Sequence, residues 1–264
     1  MKVGFIGAGR MGSALIKGFL DIGILKERDI VASGKDEGKL KSLTDLGVTA
    51  TPNNREAVKK ADVIFLAVKP AEISKVLDEV KDLVGEKLVI SIAAGVQTKL
   101  IESTLGTKAK VVRVMPNMPC VVSEGAAAYC LGRNARAKDA EVVKKLFGAV
   151  GIVVGLKEEY MDAATGLSGS GPAYFYLIIK ALTEAGVKEG LPKDVAEKLA
   201  AQTAKGAGQM VLKSGKTLDE LIDMVRSPGG TTAEGLRVME YKKVPDAMVE
   251  TVKAAAKKAR ELAR

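Results

Sequence analysis

The chain has 264 residues, 47% of them hydrophobic and 28% charged, with 41 Lys and Arg against 32 Asp and Glu for a net charge of +9. That length accommodates one large domain or two modest ones. It contains no histidine, which excludes a histidine general base, a Ser–His or Cys–His nucleophile pair and any His-ligated metal.

In chain order, short apolar runs alternate with helical stretches through the first half. Strands are predicted at Lys2–Ile6, Asp29–Ser33, Val63–Val68, Leu88–Ile92, Val111–Met115, Gly125–Cys130 and Gly151–Val154. Helices fall between the early ones at Gly12–Leu20, Lys35–Leu46 and Ile73–Val84. This alternation predicts a parallel, doubly wound α/β sheet. From Glu158 onward no strand pattern remains. Helices are predicted at Ala173–Ala185, Lys193–Lys213, Leu218–Val225, Ala233–Tyr241 and Ala247–Ala263. Two architectures in succession predict two domains, an α/β domain over 1–157 and an all-α domain over 158–264.

Cys120 and Cys130 have no metal-ligand spacing and read as buried, reduced thiols, so no metal site is expected. No apolar run reaches the ~18 residues of a membrane span, and no signal-peptide pattern opens the chain. A cytoplasmic protein with no membrane partner is expected. The basic excess is largest over residues 1–155, with 24 basic against 17 acidic side chains. No Arg-rich run or basic–aromatic interleaving accompanies it, so nucleic acid is not an expected partner. Lysines on solvated helix faces account for the charge, and an anionic cofactor in this half fits equally well.

The segment Ile6-Gly7-Ala8-Gly9-Arg10-Met11-Gly12 is the most informative of the first half. Gly-x-Gly-x-x-Gly alone is weak among 28 glycines, but here it follows an apolar strand and opens an amphipathic helix, as a dinucleotide site requires. Gly7 would allow the tight turn, Gly9 the approach of a pyrophosphate and Gly12 the helix–strand packing. The helix N-terminus then offers unpaired N–H groups to phosphate. The second predicted strand ends in Ser33-Gly34-Lys35, placing hydroxyl and ammonium donors where an NAD enzyme usually carries an acid. NADPH is therefore the expected cofactor, with NADH weaker, although Asp36 stands beside those donors.

A second glycine loop, Ser227-Pro228-Gly229-Gly230-Thr231-Thr232-Ala233-Glu234, feeds a helix. Thr231 and Glu234 have capping-box spacing, as do Thr217 and Glu220. Free backbone N–H groups, the positive helix end and nearby hydroxyls make the loop a candidate carboxylate receptor. The residues alone also fit an ordinary capped loop.

Five further segments accompany the first glycine loop: Ala67-Val68-Lys69-Pro70, Ser91-Ile92-Ala93-Ala94-Gly95, Arg113 through Pro119, Gly166 through Tyr174, and Ser227 through Thr232. In this order the chain resembles the pyrroline-5-carboxylate reductase family of proline synthesis, essentially end to end. The resemblance implies an N-terminal NADP-binding Rossmann domain and a C-terminal all-helical domain that builds a homodimer, often assembled further. It implies that Ala67 to Pro70 lies along the cofactor ribose, that Asn54 touches the adenosine end, and that Ala93 and Ala94 lie beside the nicotinamide. It also implies that 1-pyrroline-5-carboxylate is bound at the Ser227–Thr232 loop, with Val225 just before it, and that Glu158 is a substrate-side glutamate. By its residues alone, Lys69-Pro70 reads as a helix start with Pro at the first position.

A cyclic imine nitrogen is basic, and its protonated form already accepts hydride, so the reaction needs alignment more than acid–base side chains. That suits a chain without histidine. Thr232 is expected to hydrogen-bond the ring nitrogen, while Ser227 and the backbone of Gly230, Thr231 and Thr232 hold the carboxylate. A β-hydroxyacid dehydrogenase is the nearest rival, because its glycine pattern can be laid on Gly166, Gly169 and Gly171. Its lysine slot then falls on Phe175 and its asparagine slot on Ile179, which leaves no acid–base group for an alcohol proton. A non-enzymatic NADP-binding regulator would have no use for the second anion-receiving loop.

Overall fold

The computed structural model describes residues 1–106 and 108–262. The chain runs β1 (Val3–Ile6), α1 (Arg10–Asp21), β2 (Ile30–Ser33), α2 (Glu37–Asp45), β3 (Thr49–Thr51), α3 (Asn54–Lys59) and β4 (Val63–Leu66). There follow α4 (Ile73–Val84), β5 (Leu88–Ser91), α5 (Thr98–Leu105), β6 (Lys110–Met115), β7 (Gly125–Leu131), α6 (Ala137–Gly148) and β8 (Gly151–Gly155). The eight strands make one sheet in the order β3-β2-β1-β4-β5-β6-β7-β8, parallel at every step except β6–β7. β1, β4 and β5 are buried throughout, which is why they read as unbroken apolar runs. Strand order reverses between β1 and β4, so the loops leaving these two strands diverge and open a crevice.

One face of the sheet packs on α1, α2 and α6, around Phe5, Phe19, Phe65 and Phe147. Phe5 stacks on Phe65 with ring centroids 4.4 Å apart, and Phe19 meets Phe147 edge-on at 6.1 Å. The other face packs on α3, α4 and α5 through Ile64, Leu77, Val80 and Ile101. β3, α3, α5 and α6 escape the sequence pattern. The first three are eight residues or shorter, and β3 carries two threonines in three positions, so no period there is long enough to read.

Two compact units emerge: Met1–Ser170 with Lys253–Arg264, and Gly171–Val252. The first unit thus extends past the predicted 157/158 boundary. Glu158 and Asp162 both ion-pair with Arg113 of β6, and Asn117 Nδ2 donates to the Ser168 carbonyl at 3.0 Å. These bonds tie the sheet to a helical stretch comprising a turn at Glu158–Tyr160, α7 (Met161–Ala164) and a π-turn at Thr165–Gly169.

The second unit holds α8 (Gly171–Lys188), α9 (Lys193–Lys213), α10 (Leu218–Val225), α11 (Thr231–Tyr241) and the first part of α12 (Val244–Leu262). Residues 263 and 264, where the last predicted helix and the second predicted domain end, lie outside the described residues. α8 and α9 approach closely because Gly186 faces Ala196, whose Cβ lies 3.1 Å from where a Gly186 Cβ would stand. The Thr217–Glu220 capping box forms at α10. The one expected at Thr231 and Glu234 does not. Extended Gly230 is the N-cap of α11, which makes Thr231 its first helical residue, and Glu234 instead pairs with Arg237 at 3.0 Å.

Candidate active site

The first glycine loop leaves β1 at the strand-order reversal, and its glycines are required for separate reasons. Gly7 has φ +109°, and a Cβ there would stand 2.5 Å from the Ala67 carbonyl oxygen. At Gly12 a Cβ would collide with the Gly7 carbonyl oxygen, so the first turn of α1 lies against the loop only because both residues lack side chains. Gly9 differs, since nothing crowds it more closely than the Ala67 carbonyl oxygen at 3.9 Å. It is the N-cap of α1 and contributes no side-chain cap. An open glycine below free helix amides leaves the space and the donors that a pyrophosphate needs.

Around this loop is a crevice of about 200 Å³, lined by Gly7, Ala8, Gly9, Gly34, Lys35, Asp36, Lys39, Asn54, Ala67, Val68, Lys69, Glu72 and Val76. The structure therefore gathers most of the expected cofactor residues. Ile6 and Ser33 are fully buried beneath them, and Met11 packs partly buried against the core. Arg10 lines an adjoining depression with Ser13, Lys17, Lys39 and Ser42. Pro70 is the first residue of a helical turn that Lys69 caps. That segment thus starts a helix and also walls the crevice.

Ser33 was expected to offer its hydroxyl to a ribose phosphate. It lies instead under the crevice floor, its Oγ 2.8 Å from Asn54 Oδ1 and 3.2 Å from the Phe5 carbonyl. The last residue of β2 faces inward, so its donor is consumed by its neighbours. Asn54 in turn donates to Glu79 Oε2 at 2.8 Å. The accessible cations at this end are Lys35 and Lys39, the latter missed in the sequence because it sits inside α2. Lys35 pairs with Glu72 at 2.8 Å, which raises the ammonium pKa and lowers that of the carboxyl. Asp36, in the crevice wall, caps α2 and accepts from the Lys39 amide at 3.1 Å. The acid beside the donors is thereby committed to a helix end.

Ala93 and Ala94 follow β5 at the same carboxyl edge of the sheet, outside the crevice just described. Ile92 N–H donates to the Leu66 carbonyl at 3.0 Å, holding their loop against the end of β4. Glu158 is engaged by groups of the sheet unit. One oxygen accepts from the Thr98 amide at 2.9 Å, the other from the Thr98 hydroxyl, and Arg113 Nη1 lies 3.4 Å away.

In the second unit the Ser227–Gly230 turn closes through Gly230 N–H to the Ser227 carbonyl at 3.0 Å, with Gly229 at φ +68°. A Cβ on Gly230 would overlap Ser227 Oγ, so that hydroxyl lies directly over the N-cap. Thr231 and Thr232 occupy the first turn of α11, and Val225 closes α10 in an exposed position. The Ser227 hydroxyl and the first-turn amides of α11 thus lie together, an arrangement able to receive a carboxylate.

A glycine loop at a strand-order reversal, with a crevice along the carboxyl ends of the strands, defines a dinucleotide-binding protein of the Rossmann class. Residues 2–95 match the profile described as NADP oxidoreductase, coenzyme F420-dependent, and residues 158–262 match that of pyrroline-5-carboxylate reductase dimerisation. A Methanosarcina acetivorans pyrroline-5-carboxylate reductase is 43% identical over all of this chain and 98% of its own. Human pyrroline-5-carboxylate reductase 2 is 41% identical over 99% of this chain and 84% of its own. The crystal structure of Plasmodium falciparum pyrroline carboxylate reductase with NADP bound superposes with a TM-score of 0.91 at 37% identity, covering 100% of this chain and 98% of that one. The chain belongs to the pyrroline-5-carboxylate reductase family.

Proposed function

We propose that this chain reduces 1-pyrroline-5-carboxylate to L-proline with NADPH. The observation that carries the reading is the presence in one chain of two anion-receiving loops, one at the sheet crevice and one at the start of α11. The three glycines fit a pyrophosphate, and the Plasmodium relative is described with NADP bound. When bound, the reduced nicotinamide supplies the hydride. The chain's own residues then bind and orient. Gly9 and the α1 amides take the pyrophosphate, Asn54 and Lys35 the adenosine end, and Ala67 to Pro70 the ribose side. Ser227 and the amides of Gly230 to Thr232 take the substrate carboxylate, beside Val225. Thr232 donates or accepts at the ring nitrogen and fixes which face of the imine is presented. Phe175, at the slot where a β-hydroxyacid dehydrogenase needs its lysine, is 59% exposed and offers no proton.

The helical unit supports a homodimer. Phe175, Leu177, Leu182 and Leu199 are each more than half exposed, an apolar area that a lone chain would leave wet. Two buried, unpaired cysteines fit a reducing cytoplasm. Among the described residues no helix is long and apolar enough to cross a membrane.

NADPH oxidation measured with and without the cyclic imine tests the activity. Thr232→Ala tests the site. It is expected to lower kcat/KM for the imine by the ~1.5–3 kcal/mol of a hydrogen bond to a charged group, roughly 10- to 150-fold. NADPH affinity should stay nearly intact, and Thr232→Ser should retain most of the activity. If the alanine variant matches the parent, another group orients the nitrogen.

A further inference from the structure

Past Gly9 and Lys39, which line both, the sheet crevice adjoins a second depression of about 310 Å³ between α1 and α2. Arg10, Ser13 and Lys17 line it from α1, and Lys39, Ser42 and Leu43 from α2. Its two hydroxyls already have acceptors. Ser13 Oγ donates to the Ala8 carbonyl at 3.2 Å, and Ser42 Oγ to the Gly38 carbonyl at 2.9 Å. What remains is three cations and, among the described residues, no lining carboxylate. Arg10 and Lys17 are exposed, and among the described residues neither takes part in an ion pair. The crevice is balanced differently. There Lys35 Nζ pairs with Glu72 at 2.8 Å, and Lys39 Nζ with Asp36 Oδ2 at 3.2 Å.

In a doubly wound sheet the adenosine ribose of a dinucleotide meets the end of the second strand, where an acid selects a free 2′-hydroxyl and a cation a 2′-phosphate. Here the residue after β2 is Gly34, which has no side chain, and Ser33 is buried under the crevice floor. The choice therefore falls to the charged groups around them. Lys35 is held by Glu72, so a phosphate must break that pair to use it. Asp36, left alone in the crevice wall, would attract a hydroxyl and repel a phosphate. Lys39 reverses that preference, because its ammonium lies against the Asp36 carboxylate and also faces the depression. Arg10 lines the same depression with no acid to satisfy. A dianionic phosphate at this junction would take charge-assisted hydrogen bonds from both cations.

We infer that Lys39, with Arg10 beside it, is the specificity-determining receptor for the cofactor 2′-phosphate, at the junction of the crevice with the α1–α2 depression, and that Lys35 has the smaller part. The inference rests on the reading of the crevice as an NADPH site and deepens it. It does not depend on which imine is reduced.

Equilibrium binding without the imine tests the receptor. Fluorescence titration follows NADPH and NADH, and calorimetry compares 2′,5′-ADP with 5′-AMP, which carry no nicotinamide. The parent should bind each 2′-phosphorylated ligand more tightly than its counterpart. Lys39→Gln should raise Kd for NADPH and 2′,5′-ADP by about ten- to thirty-fold, since a hydrogen bond to a charged group is lost and Asp36 is unmasked. Kd for NADH should change by less than about two-fold, because its ribose brings no charge to the junction. Arg10→Gln should cost about ten-fold on the phosphorylated ligands, the lower end for an exposed charged pair. Lys17→Gln, two turns further along α1, and Lys35→Ala should each cost less than about three-fold. Lys39→Gln/Asp36→Asn should recover part of the loss, because asparagine still caps α2 and no longer repels phosphate. Equal parent affinity for NADPH and NADH would overturn the inference. So would a loss at Lys17 as large as that at Lys39, or the largest loss at Lys35. A parent that shows the expected binding pattern yet does not oxidise NADPH with the imine would defeat the reductase reading and leave the receptor standing.

Discussion

The sheet unit and the helical unit handle the same kinds of residue in opposite ways. In the sheet unit Phe5, Phe19, Phe65 and Phe147 meet in one cluster and are at most 1% exposed. In the helical unit the remaining phenylalanine, Phe175, stands 59% exposed, and Leu177 on the same helix 67%. Between Gly171 and Val252 the buried hydrophobic side chains are Ala196 and Ala200. Four-carbon and aromatic side chains left outside while alanines fill the inside mean that these helices pack closely but bury little apolar area. Their stability is therefore tied to a partner surface, whereas the sheet carries its own core.

The contrast breaks most severely in the core. Phe65→Ala removes the ring stacked on Phe5 and should cost ~3–5 kcal/mol, read as a drop in the urea midpoint. Next comes the apolar face of α8, where Leu177→Lys should leave the sheet folded yet lower the assembly from at least twice the 27.7 kDa chain mass toward one chain. Sedimentation measures this, and a parent protein that is a stable, fully active monomer at micromolar concentration would defeat the account of the helical unit. The cysteines sharpen the comparison, because both lie in the sheet unit and are pushed up by burial, Cys120 to about 11 and Cys130 to about 12. Between an ordinary thiol value of 9.0 and those values the unfolded chain releases protons that the folded one retains, so folded stability is present below 9 and declines as pH rises through that interval. At pH 8 iodoacetamide should therefore leave the folded protein unlabelled, even in Leu177→Lys, and react fully in urea. The smallest effect is expected at the crevice rim. Lys35→Ala should raise KM for NADPH modestly with little change in kcat, and Glu72→Gln, which frees Lys35, should shift preference further toward NADPH. Equal efficiency with the two cofactors in all three proteins would remove Lys35 from the 2′-phosphate.

Long periodic elements were legible because burial on one or both faces writes itself into the residue order. α4, α9 and α10 begin and end where the sequence places them, and the strand-after-strand apolar runs predict the parallel sheet correctly. The glycine loop was equally legible, since the positive φ of Gly7 and the clash of a Gly12 Cβ with the Gly7 carbonyl are both local. What could not be read is whatever depends on which way a polar side chain turns. Ser33 is a hydrophilic residue at a position that suits a ligand, and its hydroxyl is consumed by a partner 21 residues away. The tie between β6 and the stretch after β8 is of the same kind: Arg113 reaches Glu158 and Asp162 across 45 and 49 positions. Sequence alone thus determined where backbone conformation and burial period are set, which are near-neighbour properties. Tertiary structure alone decided which donors remain for a ligand, because a hydrogen bond already made inside the fold is no longer on offer outside it.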